Sequence, residues 1–161
     1  MKIDSHQHFW NYHPIKDAWI SDDMKVIQQD FMPADLLPLL QKNDIDGCIA
    51  VQADQSETET RFLLQLAQEN DFIMGVVGWV DFRSKDIEER LQYFSQFEKL
   101  KGFRHIVQGE SEDDFLLRAD FCNGIAQLEK YNFTYDLLIL PIHLPFAVNF
   151  VKRFPKQNFV I

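Results

Sequence analysis

Two histidines one residue apart, His6 and His8, stand near the start of the chain in the run IDSHQHFW. In an extended strand successive side chains alternate between faces, so Asp4, His6 and His8 share one side and Ile3, Ser5 and Gln7 the other. Two imidazoles on one face can converge on one ion or one substrate. By itself a His-x-His pair is more often two hydrogen-bonded surface histidines, because so short a motif carries little information. Its context therefore decides. Other polar residues gather where apolar runs end: Gln52 and Asp54, Trp79 and Asp81, Arg104 and His105. Arg104 offers a planar fork of donors suited to a carbonyl, hydroxyl or carboxylate. Regular alternation lets only one of Arg104 and His105 face inward. His13 lies in a proline-containing loop, and His143 follows Pro141 after the fifth apolar run.

The elements that position these residues are legible as apolar, β-branched runs alternating with helical patterns. Strands are expected at 2–8, 45–53, 73–81, 102–108 and 134–140, with another starting at 158. IDGCIAVQA and IMGVVGWVD are apolar on both faces, as strands of a covered parallel sheet must be. Ser56 followed by Glu59 is a capping-box pattern ahead of RFLLQLAQEN, in which Phe62, Leu63, Leu66 and Ala67 form one stripe. Asp86, Glu88 and Glu89 suit the positive end of a helix on which Ile87, Leu91, Phe94 and Glu98 sit at helical spacing. Phe121, Ile125 and Leu128 repeat that spacing, and PADLLPLLQKN opens with proline and stops at Asn43 and Asp44. Successive β-α units of this kind build either a doubly wound sheet or a (β/α)8 barrel. HFWNYHP after the first strand has no glycine to cradle phosphate, and unusual polar residues collect at strand ends, where barrel enzymes keep their chemistry. The expectation is a single α/β domain over 1–161, of (β/α)8 TIM-barrel type.

Composition narrows the function classes. With 46% hydrophobic residues in 161, the chain can bury a real core, which argues against disorder. Its formal charge of −9 and lack of a Lys/Arg cluster make nucleic acid an unexpected partner. The acidic run from Glu110 to Asp114 is expected to be a solvated loop. Cys48 and Cys122 form no Cys-x-x-Cys motif, and with no secretory leader before the first strand they are expected to be reduced thiols of a cytoplasmic protein. No apolar stretch reaches the roughly 20 residues of a membrane span, so no membrane partner is expected.

IDSHQHFW, AWI at 18–20, VQAD at 51–54, ETRFLL at 59–64, GVVGWVDF at 75–82 and KGFRHIVQGE at 101–110 together resemble the amidohydrolase-2 family. They are most similar to its sugar-lactonase branch, which includes L-fuconolactonases and L-rhamnono-1,4-lactonases. The resemblance covers essentially the whole chain in order, and GWVD and GFRH are far more specific than His-x-His. It implies hydrolysis of a small sugar-acid lactone at the mouth of an amidohydrolase-type barrel. His6 and His8 would there bind one divalent metal, zinc above all, or contact the substrate directly in a metal-independent version. Arg104 would join them as a catalytic group, with Gln52, Trp79, Asp81, His105 and His143 as substrate contacts. A lactone is already an activated ester, so such a site needs to polarise the carbonyl and aim a water. The alternatives are a zinc-dependent amidohydrolase or decarboxylase on the same scaffold, and a non-catalytic half-barrel.

Length departs from the family pattern. Eight β-α units take about 250 residues, whereas KQNFVI stands in the middle of an expected sixth strand. The Asp-His pair on which the family's sixth strand closes, and the water-activating aspartate of its last strand, have no counterpart here. About five β-α units and the start of a sixth strand are therefore expected. Such an arc would leave sheet edges and apolar surface to be covered, by the rest of a longer enzyme or by another chain, a homo-oligomer included.

Overall fold

A computed structural model describes residues 1–161. Six strands run along the chain: β1 (Ile3–Gln7), β2 (Gly47–Val51), β3 (Ile73–Gly78), β4 (Leu100–Ile106), β5 (Thr134–Leu138) and β6 (Phe159–Val160). They form one sheet in the order β1-β2-β3-β4-β5-β6, every pairing parallel. A doubly wound sheet reverses strand order at a switch point. This one never reverses, so it is a half-barrel. The strand centres lie where the apolar runs place them. Their ends are earlier, leaving His8, Gln52, Trp79, Asp81 and Gln108 in the segments that follow the strands.

Five helices cover the outer face: α1 (Pro33–Lys42), α2 (Glu57–Glu69), α3 (Ile87–Phe94), α4 (Ala119–Ile125) and α5 (Leu144–Arg153). Pro33 opens α1, where a missing N–H costs nothing, and beyond its end Asp44 turns the chain with a left-handed φ of 54°. The Ser56 hydroxyl accepts from Glu59 N at 3.2 Å, capping α2 as the pattern predicts. Glu59 does not return that bond to Ser56. Its carboxylate reaches further back, to Ala53 N and Asp54 N, because Ser56 N already donates to the Asp54 carbonyl. The predicted stripe Phe121, Ile125, Leu128 is split between α4 and a short 3-10 turn at Leu128–Tyr131, which Asn132 ends with a φ of 57°.

The core lies between sheet and helices. Cys48, Ala50, Val76, Phe103, Tyr135 and Leu137 from the strands meet Leu63, Leu66, Phe94, Phe121 and Phe150 from the helices. Phe82 sits edge-on to Phe103, Phe121 and Tyr135 at centroid distances of 5.7–5.9 Å, a geometry that aligns ring edges with ring faces. Burial pushes the Cys48 thiol up to about 11, and neither cysteine is in a disulfide. No helix is long and apolar enough to cross a membrane.

After β1 the chain makes a long excursion. Trp10 and Phe31 close it with a two-bond antiparallel bridge (3.1 and 2.9 Å), and their rings pack tilted by 46° at a centroid distance of 4.8 Å. The strap between them contains one short 3-10 segment, Asp22–Ile27. It forms one wall of the cavity described next.

Candidate functional site

A cavity of about 600 Å³ opens between the strand ends and the strap, with His6, His8, Glu59, Arg104, Ile106 and Leu138 on one side and Trp10, Asp17, Trp19, Ile20 and Ile27 on the other. That volume is in the range of small-molecule sites. Its polar end is built by β1 and β4. The Nε2 atoms of His6 and His8 approach to 3.1 Å, and Arg104 Nη1 lies 3.1 Å from the same His6 nitrogen.

Val51 fixes the proton of His8. The Val51 carbonyl, 2.8 Å from His8 Nδ1, can only accept, so His8 carries its hydrogen on Nδ1 and presents a lone pair at Nε2. Burial, chiefly, lowers the His8 pKa to about 4, with Arg104 and His6 adding to it against the Val51 bond. His6 is lowered as well, by burial first and then by Arg104. Both imidazoles are therefore neutral near pH 7. Arg104 can only donate. If His6 Nε2 accepts from it, two lone pairs face each other across 3.1 Å; if His6 Nε2 carries a hydrogen, that N–H faces the guanidinium. One of the two contacts is unfavourable in either neutral tautomer; a cation between the two Nε2 atoms would take both lone pairs and free Arg104 Nη1 for another acceptor.

The nitrogen separation is close to that of two ligands each about 2.0–2.1 Å from one tetrahedral ion. His6 and His8 thus fit two positions of a divalent metal site, with Val51 orienting one of them. No third histidine, cysteine, aspartate or glutamate joins them. Asp17 and Glu59 line the cavity, with Glu59 engaged through both carboxylate oxygens and Asp17 through one. Asp17 accepts from His13 N at 2.7 Å, and Glu59 accepts from Ala53 N (2.5 Å), Asp54 N (3.0 Å) and Lys16 Nζ (3.2 Å).

Arg104 is 5% exposed and crosses the concave face of the sheet to reach β1. Its Nη2 donates to the Gln52 carbonyl and, at 3.4 Å, to Gln52 Oε1, while Gln52 Nε2 donates back to the Arg104 carbonyl at 3.2 Å. Gln52 is thus fully buried and orients Arg104. Burial works against the guanidinium's charge, with Asp136 the largest of the opposing influences.

The remaining predicted contacts lie apart from the cavity lining. His105 turns to the helical side, as alternation requires once Arg104 faces inward. It stacks on Phe115 at 4.8 Å, accepts from Trp79 Nε1 at Nδ1 (3.2 Å) and donates from Nε2 to Glu110 (2.6 Å). Trp79 and His105 therefore satisfy each other. Glu110, from the acidic run, is the anchor of that pair rather than a free loop charge. Asp81 holds the main chain and guanidinium of Arg83 at 3.0 and 3.1 Å. His143 is buried, and its Nδ1 accepts from Leu140 N at the start of the turn into α5. The sequence reading missed Glu59 and Asp17 as cavity residues, and the whole strap wall. The Ser-x-x-Glu cap was a usable signal for Glu59; Trp10, Trp19 and Ile20 stand in IDSHQHFW and AWI, two of the runs that carry the family resemblance, but nothing local marks them as a cavity wall.

Fold and site together define a class: an α/β half-barrel with a paired-histidine and arginine cluster at its strand ends. The profile of the amidohydrolase family matches residues 3–161, and the chain belongs to that family. The L-fucono-1,5-lactonase of Burkholderia multivorans is 40% identical over 154 residues, 95% of this chain and 52% of that protein. The L-fucono-1,5-lactonase of Burkholderia ambifaria is 32% identical over 160 residues, 99% of this chain and 55% of that protein. A crystal structure of an amidohydrolase from Burkholderia multivorans with bound zinc superposes with a TM-score of 0.90 at 40% identity, covering 95% of this chain and 54% of that one. The chain spans about half the length of the relatives it matches.

Proposed function

We propose that this chain carries the first-strand histidines and the arginine of a sugar-acid lactonase, which opens an aldonolactone of the L-fuconolactone type to the free acid. The carrying observation is the convergence of His6, His8 and Arg104 within 3.1 Å contacts at the cavity mouth, in a chain 40% identical to a protein named L-fucono-1,5-lactonase. His6 and His8 hold a divalent ion, zinc by ligand type, which when bound acts as a Lewis acid toward the carbonyl or an attacking water. Arg104 binds the carbonyl oxygen or a substrate oxygen beside it, and Gln52 keeps its fork in place. The bond to the Val51 carbonyl orients His8 toward the mouth. Trp10 and Ile20 cover the opposite side of the lactone ring. We assign the activation of water to residues outside the present chain, where the family's last-strand aspartate stands.

The test is acid release from L-fucono-1,5-lactone and related aldonolactones, followed with a pH indicator in the protein that carries this chain. His6→Ala and Arg104→Ala should each lower the rate at least about a hundredfold, the scale of losing one oxyanion-stabilising donor. Full activity in both variants sinks the assignment.

A further inference from the structure

On β5, Tyr135 and Leu137 pack into the core beneath the helices, so Asp136 between them turns to the concave face. There it stands directly opposite Arg104 in the parallel β4–β5 register, one strand step deeper than the cavity-lining Leu138. The two make neither a hydrogen bond nor an ion pair. Yet Arg104 Nε and Asp136 Oδ1 are both buried and both without a partner. The other guanidinium nitrogens are spent on His6 and Gln52. A donor and an acceptor, each costly to bury unmet, therefore lie on adjacent strands beside a cavity to which Arg104 already contributes.

Whatever joins them must accept from an N–H and donate to a carboxylate. An anion meets repulsion from Asp136, and a cation meets repulsion from Arg104. A hydroxyl satisfies both. We propose that Asp136 Oδ1 and Arg104 Nε bind one hydroxyl group of a polyhydroxylated ligand, the hydroxyl accepting from Nε–H and donating to the carboxylate. Asp136 is then a specificity residue that reads a ring hydroxyl, while the carbonyl end of the ligand meets His6 and His8. The choice of ligand rests on the lactonase reading above.

The test uses binding, so that it does not depend on turnover. L-Fuconolactam, a neutral ring analogue that is not hydrolysed, and its three monodeoxy counterparts are titrated calorimetrically into wild type, Asp136→Asn and Asp136→Ala. A hydrogen bond to a charged group sets the expected scale. Asp136→Ala weakens the parent lactam about thirtyfold. Asp136→Asn, which keeps an acceptor oxygen in the same place, weakens it about fivefold. One deoxy lactam, bound about thirtyfold more weakly by wild type, changes less than about twofold on either substitution. Equal losses on all four lactams, or equal losses for Asn and Ala, overturn the proposal, because Asp136 then acts only as a counter-charge for Arg104. Unchanged binding overturns it in favour of a bridging water, and so does a wild type that binds no lactam. If Asp136→Ala fails to fold, the near-isosteric Asn variant still decides by its selectivity among the lactams. The expected pattern without turnover of any lactone leaves the hydroxyl site standing and removes the lactonase reading.

Discussion

Glu59 holds the cavity wall together, and its removal gives a worked test of how that wall is stabilised. The residue is 4% exposed. One carboxylate oxygen accepts from Ala53 N and Asp54 N, and the other from Lys16 Nζ of the strap. Glu59→Gln keeps an oxygen for the two main-chain donors but makes those bonds neutral, and it turns an NH2 group toward Lys16. Bonds to a charged acceptor contribute about 1.5–3 kcal/mol against about 1 for neutral ones. Lys16 is 45% exposed, so its contact is worth at most about 1 kcal/mol. The expected cost of Glu59→Gln is thus about 2–3 kcal/mol. Glu59→Ala leaves both main-chain donors unmet, and its cost rises to about 4 kcal/mol. Urea unfolding of both variants, with a double-mutant cycle to Lys16→Met, measures these quantities. The cycle should return no more than about 1 kcal/mol. An alanine variant within 1 kcal/mol of wild type, or one no costlier than glutamine, would refute the view that the main-chain bonds dominate.

Two further outcomes follow from named contacts. His8 has a folded pKa of about 4 against 6.5 when exposed, so the unfolded chain binds more protons between those values. Its contribution is fully present above about pH 6.5 and lost as pH falls toward 4, amounting to about 3 kcal/mol. Subtracting the unfolding free energy of His8→Gln from that of wild type, from pH 4 to 7.5, should reveal that slope; a flat difference would show that His8 is not held neutral. Gly124 lies in α4, where alanine is ordinarily better by about 1 kcal/mol. A Cβ there would sit 2.0 Å from the Phe82 carbonyl oxygen, so Gly124→Ala should destabilise by more than about 2 kcal/mol. A raised midpoint in thermal unfolding would contradict this.

What could be read from the sequence was whatever depends on local pattern. Doubly apolar runs mark buried parallel strands, and Ser56 marks the start of α2, because those signals lie within a few residues. The expected strands run past the observed ends, since polar residues such as Gln52, whose N–H still reaches the Val77 carbonyl, and Asp81 follow the last ladder positions without a break in the apolar pattern. The site was legible only in part. His6, His8 and Arg104 meet across 98 positions of sequence, and it was motif resemblance rather than periodicity that put them together. Trp79 and His105 illustrate the opposite case. They look like rim residues because they end strands, but an indole N–H that finds an imidazole on the helical side is a long-range satisfaction that no window of sequence displays. The strap is least legible of all, having almost no regular structure and folding back through contacts distant in sequence, the Trp10–Phe31 bridge and the Lys16–Glu59 pair among them.

The strand order gives the site a mechanical meaning. Because every strand pairs only with the strands before and after it in the chain, each β-α unit leans chiefly on its immediate neighbours, much as modules do in a repeat array. In such an array one module can loosen without the rest. Arg104 interrupts that independence: by reaching from the fourth strand to His6 on the first, it stitches together units three strand spacings apart, roughly 14 Å. The residues that would meet a substrate are thus also a tie rod across the arc, and occupancy at the mouth is coupled to whether these four units move as one body.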